Sequence, residues 1–236
     1  MCSSEYRKFF TECRWVLGLV LFGIITFPSS AQKSVAEDEA DRKWFRETKA
    51  KAESGDAEAQ KDLGLRYVSG DGVTKDRAEA ARWFRKAADQ GNADAQEYLG
   101  RMYTHGDGLS EDRAEAARWF RKAADQGLAD AQNDLGKKYA FGDGVTKDRA
   151  EAARWFRKAA DQGLADAQFS LGLMYATGDG VPRDLVLAHV WWNLAGANGD
   201  MAAKKNLTLI EGEMTPEQKA EAMKMARDLF EKQFKQ

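Results

Sequence analysis

The chain has 236 residues, of which 36 are Lys or Arg and 38 are Asp or Glu, for a formal net charge of −2. That balance, with no basic block, argues against nucleic acid as a partner. The two cysteines, Cys2 and Cys13, both fall in the first 31 residues, so the rest of the chain has no disulfide and no cysteine chemistry.

Residues 1–31 differ in composition from everything that follows. Arg7, Lys8 and Arg14 precede an apolar run from Trp15 to Phe27, and small residues at Ser29 and Ala31 suit cleavage after Ala31. The run is shorter than the roughly 20 residues that span a bilayer. The expectation is therefore a secretory signal and a periplasmic or secreted product, with an uncleaved inner-membrane anchor as the alternative. Residues 32–54 read as a polar, acidic tether over 32–41 followed by a leading helix that begins at Trp44 and Phe45 and caps the first repeat.

The phrase DRAEAARWFRKAADQG then occurs three times, at 76–91, 112–127 and 148–163. The surrounding unit is 36 residues long, and 55–90, 91–126, 127–162 and 163–198 align without a gap. A fixed period of this length means a stacked array. Each unit divides into two helices. In the phrase, Ala80, Ala81, Trp83, Phe84, Ala87 and Ala88 share one helical face, and Glu79, Arg82, Arg85, Lys86 and Asp89 share the other. Asp76 with Glu79 is a helix start signal, and Gly91 stands where a left-handed C′ residue is wanted. This is helix B.

Helix A precedes it, with Ala59, Leu63 and Tyr67 on one stripe. Gly64, Gly100, Gly136 and Gly172 interrupt helix A at about 1 kcal/mol each relative to Ala, which predicts a close backbone approach to the partner helix. Gly-Asp-Gly at 70–72, 106–108, 142–144 and 178–180 forms the turn between the helices. The recurring Trp83, Trp119, Trp155 and Trp191 are read as structural, one buried ring per unit.

The shared pattern G-x-A-x-A-Q-x-x-L-G-x-x-Y-x-x-G-D-G resembles the Sel-one-like repeat family, a branch of the tetratricopeptide-like helical repeats. The resemblance covers about Gly55 to Gly199. It implies an all-α fold, an α/α solenoid wound as a right-handed superhelix, and a role as adaptor or scaffold, often in bacterial envelopes.

In unit four, Leu187, Val190 and Leu194 replace the polar Glu79, Arg82 and Lys86 of unit one, so the outer face of that helix B needs a cover. Thr215-Pro216-Glu217-Gln218 starts a helix whose Ala222, Met223, Ala226, Leu229 and Phe230 are expected to face unit four as a C-terminal cap within 199–236. A dimer contact is the other reading of that face.

Residues that could carry chemistry are sparse. His189 falls in a packed column, and His105 with Asp107 is too few ligands for a metal. GDGVTKD lacks the acidic alternation and closing Glu of a calcium loop. Ser30-Ala31-Gln32-Lys33 matches the S-x-x-K of penicillin-recognising enzymes, but it straddles the cleavage site and no K-T-G follows. No cofactor, metal or catalytic residue is expected. A cell-wall hydrolase or penicillin-binding-type protein and a purely structural envelope component are the alternatives to an adaptor.

Comparison of the units with one another locates the candidate binding surface. Units one to three differ only before residue 76 or its equivalent, chiefly in helix A. One variable stripe reads Asp62/Arg66/Ser69, Tyr98/Met102/His105, Asp134/Lys138/Phe141 and Ser170/Met174/Thr177. The resemblance implies that helix A lines a concave groove, so Arg66, Tyr98, Met102, His105, Lys138, Phe141 and Met174 are candidate contacts for a protein or peptide. A second stripe, Lys61/Leu65, Glu97/Arg101, Asn133/Lys137 and Phe169/Leu173, is an equal candidate for the groove.

Overall fold

The repeated phrase folds as three identical helices, α3 (Arg77–Asp89), α5 (Arg113–Asp125) and α7 (Arg149–Asp161). They are seen in a computed structural model that describes residues 35–234; the expected export segment and the S-x-x-K match lie outside the described residues. Each helix starts on an aspartate. The side chains of Asp76, Asp112 and Asp148 accept from the backbone N–H of Glu79, Glu115 and Glu151, all at 2.9 Å, which satisfies one of the orphan donors of the first turn. In α3 the six residues expected on the apolar face, Ala80, Ala81, Trp83, Phe84, Ala87 and Ala88, are the buried ones. Gly91, at φ +93°, takes the left-handed turn that ends it.

The alternating helices are α2 (Ala57–Ser69), α4 (Ala93–His105), α6 (Ala129–Phe141) and α8 (Ala165–Thr177). Each packs on the helix B of its own unit, and each helix B packs on the next helix A. The mid-helix glycines do mark a close approach, but to a ring rather than to backbone. A Cβ on Gly64 would stand 2.8 Å from Phe84, on Gly136 2.8 Å from Phe156, and on Gly172 2.6 Å from Trp192.

The core is shared between neighbours. Ala80, Phe84 and Ala88 of unit one pack with Ala95 and Leu99 of unit two and with its Trp119. The same set recurs one unit on, with Ala116, Phe120, Leu135 and Trp155. Buried glutamines tie the seams: Gln96 donates to Ala88 O at 3.0 Å and accepts from Gln126 at 2.8 Å. Gln132 repeats this with Ala124 O and Gln162. Ala88 O and Ala124 O, which already accept from the N–H of Gly91 and Gly127, thereby gain a second hydrogen bond from the next unit.

The ends differ from the sequence expectation in two places. The leading helix α1 (Val35–Glu53) extends back through residues 35–41, where a tether was expected, because Ala36, Glu37, Glu39 and Ala40 there are sound helix formers. The repeat-bearing unit itself covers residues 42–236. Within it Thr48 and Ala52 are buried, and Phe45 meets Tyr67 edge to face at 6.0 Å.

At the other end, α9 (Leu185–Ala197) is followed by α10 (Met201–Ile210) and α11 (Pro216–Phe234), and both pack on it. Val190 and Leu194 are buried in one cluster with Ile210, Met214, Ala222 and Ala226. Met225 and Leu229 complete that face, whereas Met223 and Phe230, expected there, are exposed at 56% and 40%. Among the described residues no helix is long and apolar enough to cross a membrane.

Candidate docking groove between units two and three

The helix A faces of units two and three, with the turn that follows α6, enclose a groove of about 720 Å³. Arg101, Thr104 and His105 come from the last turns of α4, and Asp134, Lys137, Lys138 and Phe141 come from α6. Arg113 and Phe120, from α5, and the turn Gly142-Asp143-Gly144 complete the wall.

Asp143 fixes this geometry. Its carboxylate accepts from Lys138 Nζ at 2.6 Å and from Arg113 Nη1 at 3.1 Å. Burial would raise its pKa, but Lys138 and then Arg113 more than offset that and hold the carboxyl below its ordinary value. The bond to Arg113 crosses from unit three to unit two, and Asp107 reaches Arg77 in the same way one unit earlier. Gly144, at φ +76°, lies against the Arg113 backbone so tightly that no Cβ fits.

The opposite side holds a denser ionic cluster. Glu97, only 7% exposed, has Oε1 2.6 Å from Arg101 Nε, an ion-pair contact without hydrogen-bond alignment. Arg101 Nε also lies 3.5 Å from Asp134 Oδ2, and Lys137 Nζ is 3.7 Å from Asp134 Oδ1. Burial, reinforced by Asp130, Asp134 and Asp94 and opposed by Arg101, pushes Glu97 up to about 7. Burial also raises Asp134, against the pull of Lys137 and Arg101.

The candidate contacts read from the sequence separate into three groups. His105, Lys138 and Phe141 come together in the groove, with Phe141 exposed at 77%. Met102 and Met174 are buried in the seam cores at 6% and 7%, and Lys138, at 5%, presents its ammonium to Asp143. Tyr98 is half-buried and stacks on Phe84 at 5.0 Å, and Arg66 lies over Trp44 at 4.1 Å. The second variable stripe supplies Arg101 and Lys137, so both stripes contribute.

Sequence reasoning missed Arg113 and Asp143 because they stand in constant columns. Their signal was the fixed step of 30 residues between the Arg after each helix B cap and the Asp of the next turn. Trp83, Trp119, Trp155 and Trp191 are all buried. Trp119 and Trp155 donate to Glu115 and Glu151 at 2.9 Å, whereas neither Trp83 Nε1 nor Trp191 Nε1 has a partner; before Trp191 the equivalent position is Leu187, and before Trp83 it is Glu79. Among the described residues no group of three or more His, Cys, Asp or Glu is placed to hold a metal ion.

Known proteins share this architecture. The crystal structure of a protective antigen of uropathogenic Escherichia coli, described as displaying an SLR fold, superposes with a TM-score of 0.69 at 44% identity over 70% of this chain and 36% of that one. A Sel1 repeat protein from Oxalobacter formigenes superposes at 0.67 and 39% identity, over 72% and 49%. The secretory immunoglobulin A-binding protein EsiB of Escherichia coli is 42% identical over 67 residues, 28% of this chain and 12% of EsiB. The chain thus spans half or less of the length of these relatives. The Sel1 repeat itself matches at 57–92, 93–128, 129–164 and 165–200, one match for each helix pair, and the chain belongs to the Sel1 repeat family.

Proposed function

We propose that the chain is a non-catalytic docking protein of the cell envelope and that the groove between units two and three takes a protein or peptide partner. Sel1 repeat proteins generally mediate protein–protein interaction. The observation that carries the reading is the division of labour in the repeat. Helix B is identical in units one to three, while the groove draws Arg101, His105, Lys137 and Phe141 from the helix A positions that differ between units. A wall of half-exposed charge with one exposed aromatic fits the composition of anchor residues at protein interfaces. Export is supported by the basic, then apolar, then small-residue order of residues 1–31, and a relative named for binding secretory immunoglobulin A is consistent with it.

The test is photocrosslinking from position 141 in intact cells, followed by saturation binding of the captured protein, purified, to the chain. Saturable binding lost in Lys137→Glu/Phe141→Ser with an unchanged melting temperature supports the reading. Binding indifferent to both substitutions removes it.

A further inference from the structure

Glu97 is a buried carboxylate that its surroundings do not satisfy. Its Oε1 accepts no aligned hydrogen bond, although Arg101 Nε stands 2.6 Å away. Asp94 from its own helix and Asp130 and Asp134 from α6 face it, and with burial they push it up to about 7 against the pull of Arg101. The equivalent residue one unit on, Asn133, is 4% exposed, and its Oδ1 also lacks a donor. Buried acceptors without donors are few in folded proteins, and each needs a reason.

The charge around Glu97 is one-sided. Five carboxylates, Asp94, Glu97, Asp130, Asp134 and Asp166, run along the helix A faces of units two to four. Among the described residues two cations meet them: Arg101 lies between Glu97 and Asp134, and Lys137 between Asp134 and Asp166. Asp94 and Asp130 are exposed and make no ion pair among the described residues. Even with a proton on Glu97, four charged carboxylates stand against two cations. Asp94, Asp130 and Asp166 are in the first turns of their helices, where the positive helix end suits them. Glu97 lies beyond that turn, and its column reads Lys61 in unit one and Phe169 in unit four. The excess of negative charge thus centres on the seam that holds the groove.

Resting on the docking function proposed above, we infer that the partner is a basic peptide segment, with a lysine or arginine side chain that sets its N–H donors on Glu97 between Asp94 and Asp130. An ammonium or guanidinium supplies donors and positive charge together. Arg101 is half-exposed and also touches Asp134, so it can turn to Asp134 and open Glu97 to the incoming cation. Asp130 and Phe141 stand on one stripe at the two ends of α6, about 16 Å apart along its axis. An extended peptide spans that distance in about five residues. The basic residue should therefore fall about five positions from the apolar one that meets Phe141. Charge complementarity of this kind selects partners and sets their register more than it adds raw affinity.

The test is selection of random twelve-residue peptides displayed on phage against the full chain, in parallel with Glu97→Gln/Asp130→Asn and with Phe141→Ser. Melting curves verify that the variants fold. Enrichment of Lys or Arg about five positions from an apolar residue, lost in Glu97→Gln/Asp130→Asn, is the expected result. A synthetic peptide of the selected sequence should bind that variant at least tenfold more weakly. Its affinity for the parent chain should rise severalfold from pH 6 to pH 8, as Glu97 ionises. Glu97→Gln alone should remove the rise; His105 is present in both chains, so its part cancels in the comparison. A rise that survives Glu97→Gln overturns the inference. Selected peptides that depend on Phe141 but are neutral or acidic also overturn it and leave the docking function standing. Selection of no peptide sensitive to any of these substitutions defeats both.

Discussion

Glu97 makes stability depend on pH in a direction opposite to most carboxylates. Burial among Asp130, Asp134 and Asp94 raises it from an ordinary 4.5 to about 7, despite the neighbouring Arg101. At about 1.4 kcal/mol per tenfold change in proton affinity, that displacement corresponds to about 3 kcal/mol. Below pH 4.5 the carboxyl is protonated in the folded and unfolded states alike, and no cost arises. Between 4.5 and 7 the folded chain holds a proton that the unfolded chain has released, so stability falls as pH rises. Above 7 both states are ionised, and the folded state carries the whole cost. Glu97→Gln removes the ionisation, so its stability relative to the parent should rise by about 3 kcal/mol between pH 4 and pH 8. Urea unfolding of both proteins at half-unit steps gives this difference directly, because the other carboxylates cancel. Parallel profiles would show that Glu97 is solvated, or that Arg101 holds it ionised throughout, and would refute the reasoning.

Three further outcomes follow from the packing. Trp119→Ala, which empties a site between Ala80, Ala88 and Leu99, should cost about 3–5 kcal/mol, read as a lowered urea midpoint; a cost under about 1 kcal/mol would mean the seam collapses to fill the space. Gly136→Ala should lower the melting temperature, because the clash with Phe156 at 2.8 Å costs about 1–3 kcal/mol against a gain in helix propensity of about 1 kcal/mol. Removing residues 216–236 uncovers Val190 and Leu194, so the shortened chain should bind a hydrophobic dye and self-associate in light scattering.

Helix B was legible because everything it needs is local. Its cap, its period and its terminal glycine lie within sixteen residues, and the buried set matches the apolar face position for position. The groove was legible only in part. Met102, Lys138 and Met174 vary between units as a binding surface would, yet they are buried, because that column of helix A turns into the seam. Variation there reflects different ways to fill one space: thioether in units two and four, and a lysine neutralised by Asp143 in unit three. Arg113 was missed for the opposite reason, since a constant side chain can serve one surface as scaffold and another as wall. At the C-terminal cap, Met225 packs in place of Met223 because the rotation of α11 is set by the long-range fit of Ala222 and Ala226 against α9. No local signal encodes that rotation.

The constancy of helix B has a physical cause that yields a last prediction. Arg85 hydrogen-bonds Tyr103 and lies 5.0 Å over the Trp119 ring, both in the next unit, while Lys122 of that unit covers Trp119 at 3.7 Å. Arg121 repeats this with Tyr139 and Trp155, and Arg157 with Tyr175 and Trp191. A change in helix B therefore disturbs contacts made both within its own unit and with the next one, whereas a helix A position as exposed as Phe141, at 77%, has far fewer to disturb. The contacts also recur at one step, so units are interchangeable. If residues 127–162 are deleted, Arg121 meets Tyr175 and Trp191, Arg113 meets Asp179, and Gln168 meets Ala124 O, each the same kind of partner as before. The deleted chain should keep its helicity per residue and unfold cooperatively. It should lose groove binding, because Lys137, Lys138, Phe141 and Asp134 leave together. Circular dichroism, gel filtration and binding of the captured partner read the three outcomes separately. A deleted chain that fails to fold would show that the seams are not equivalent, and that the constant helix is specific to its place in the stack.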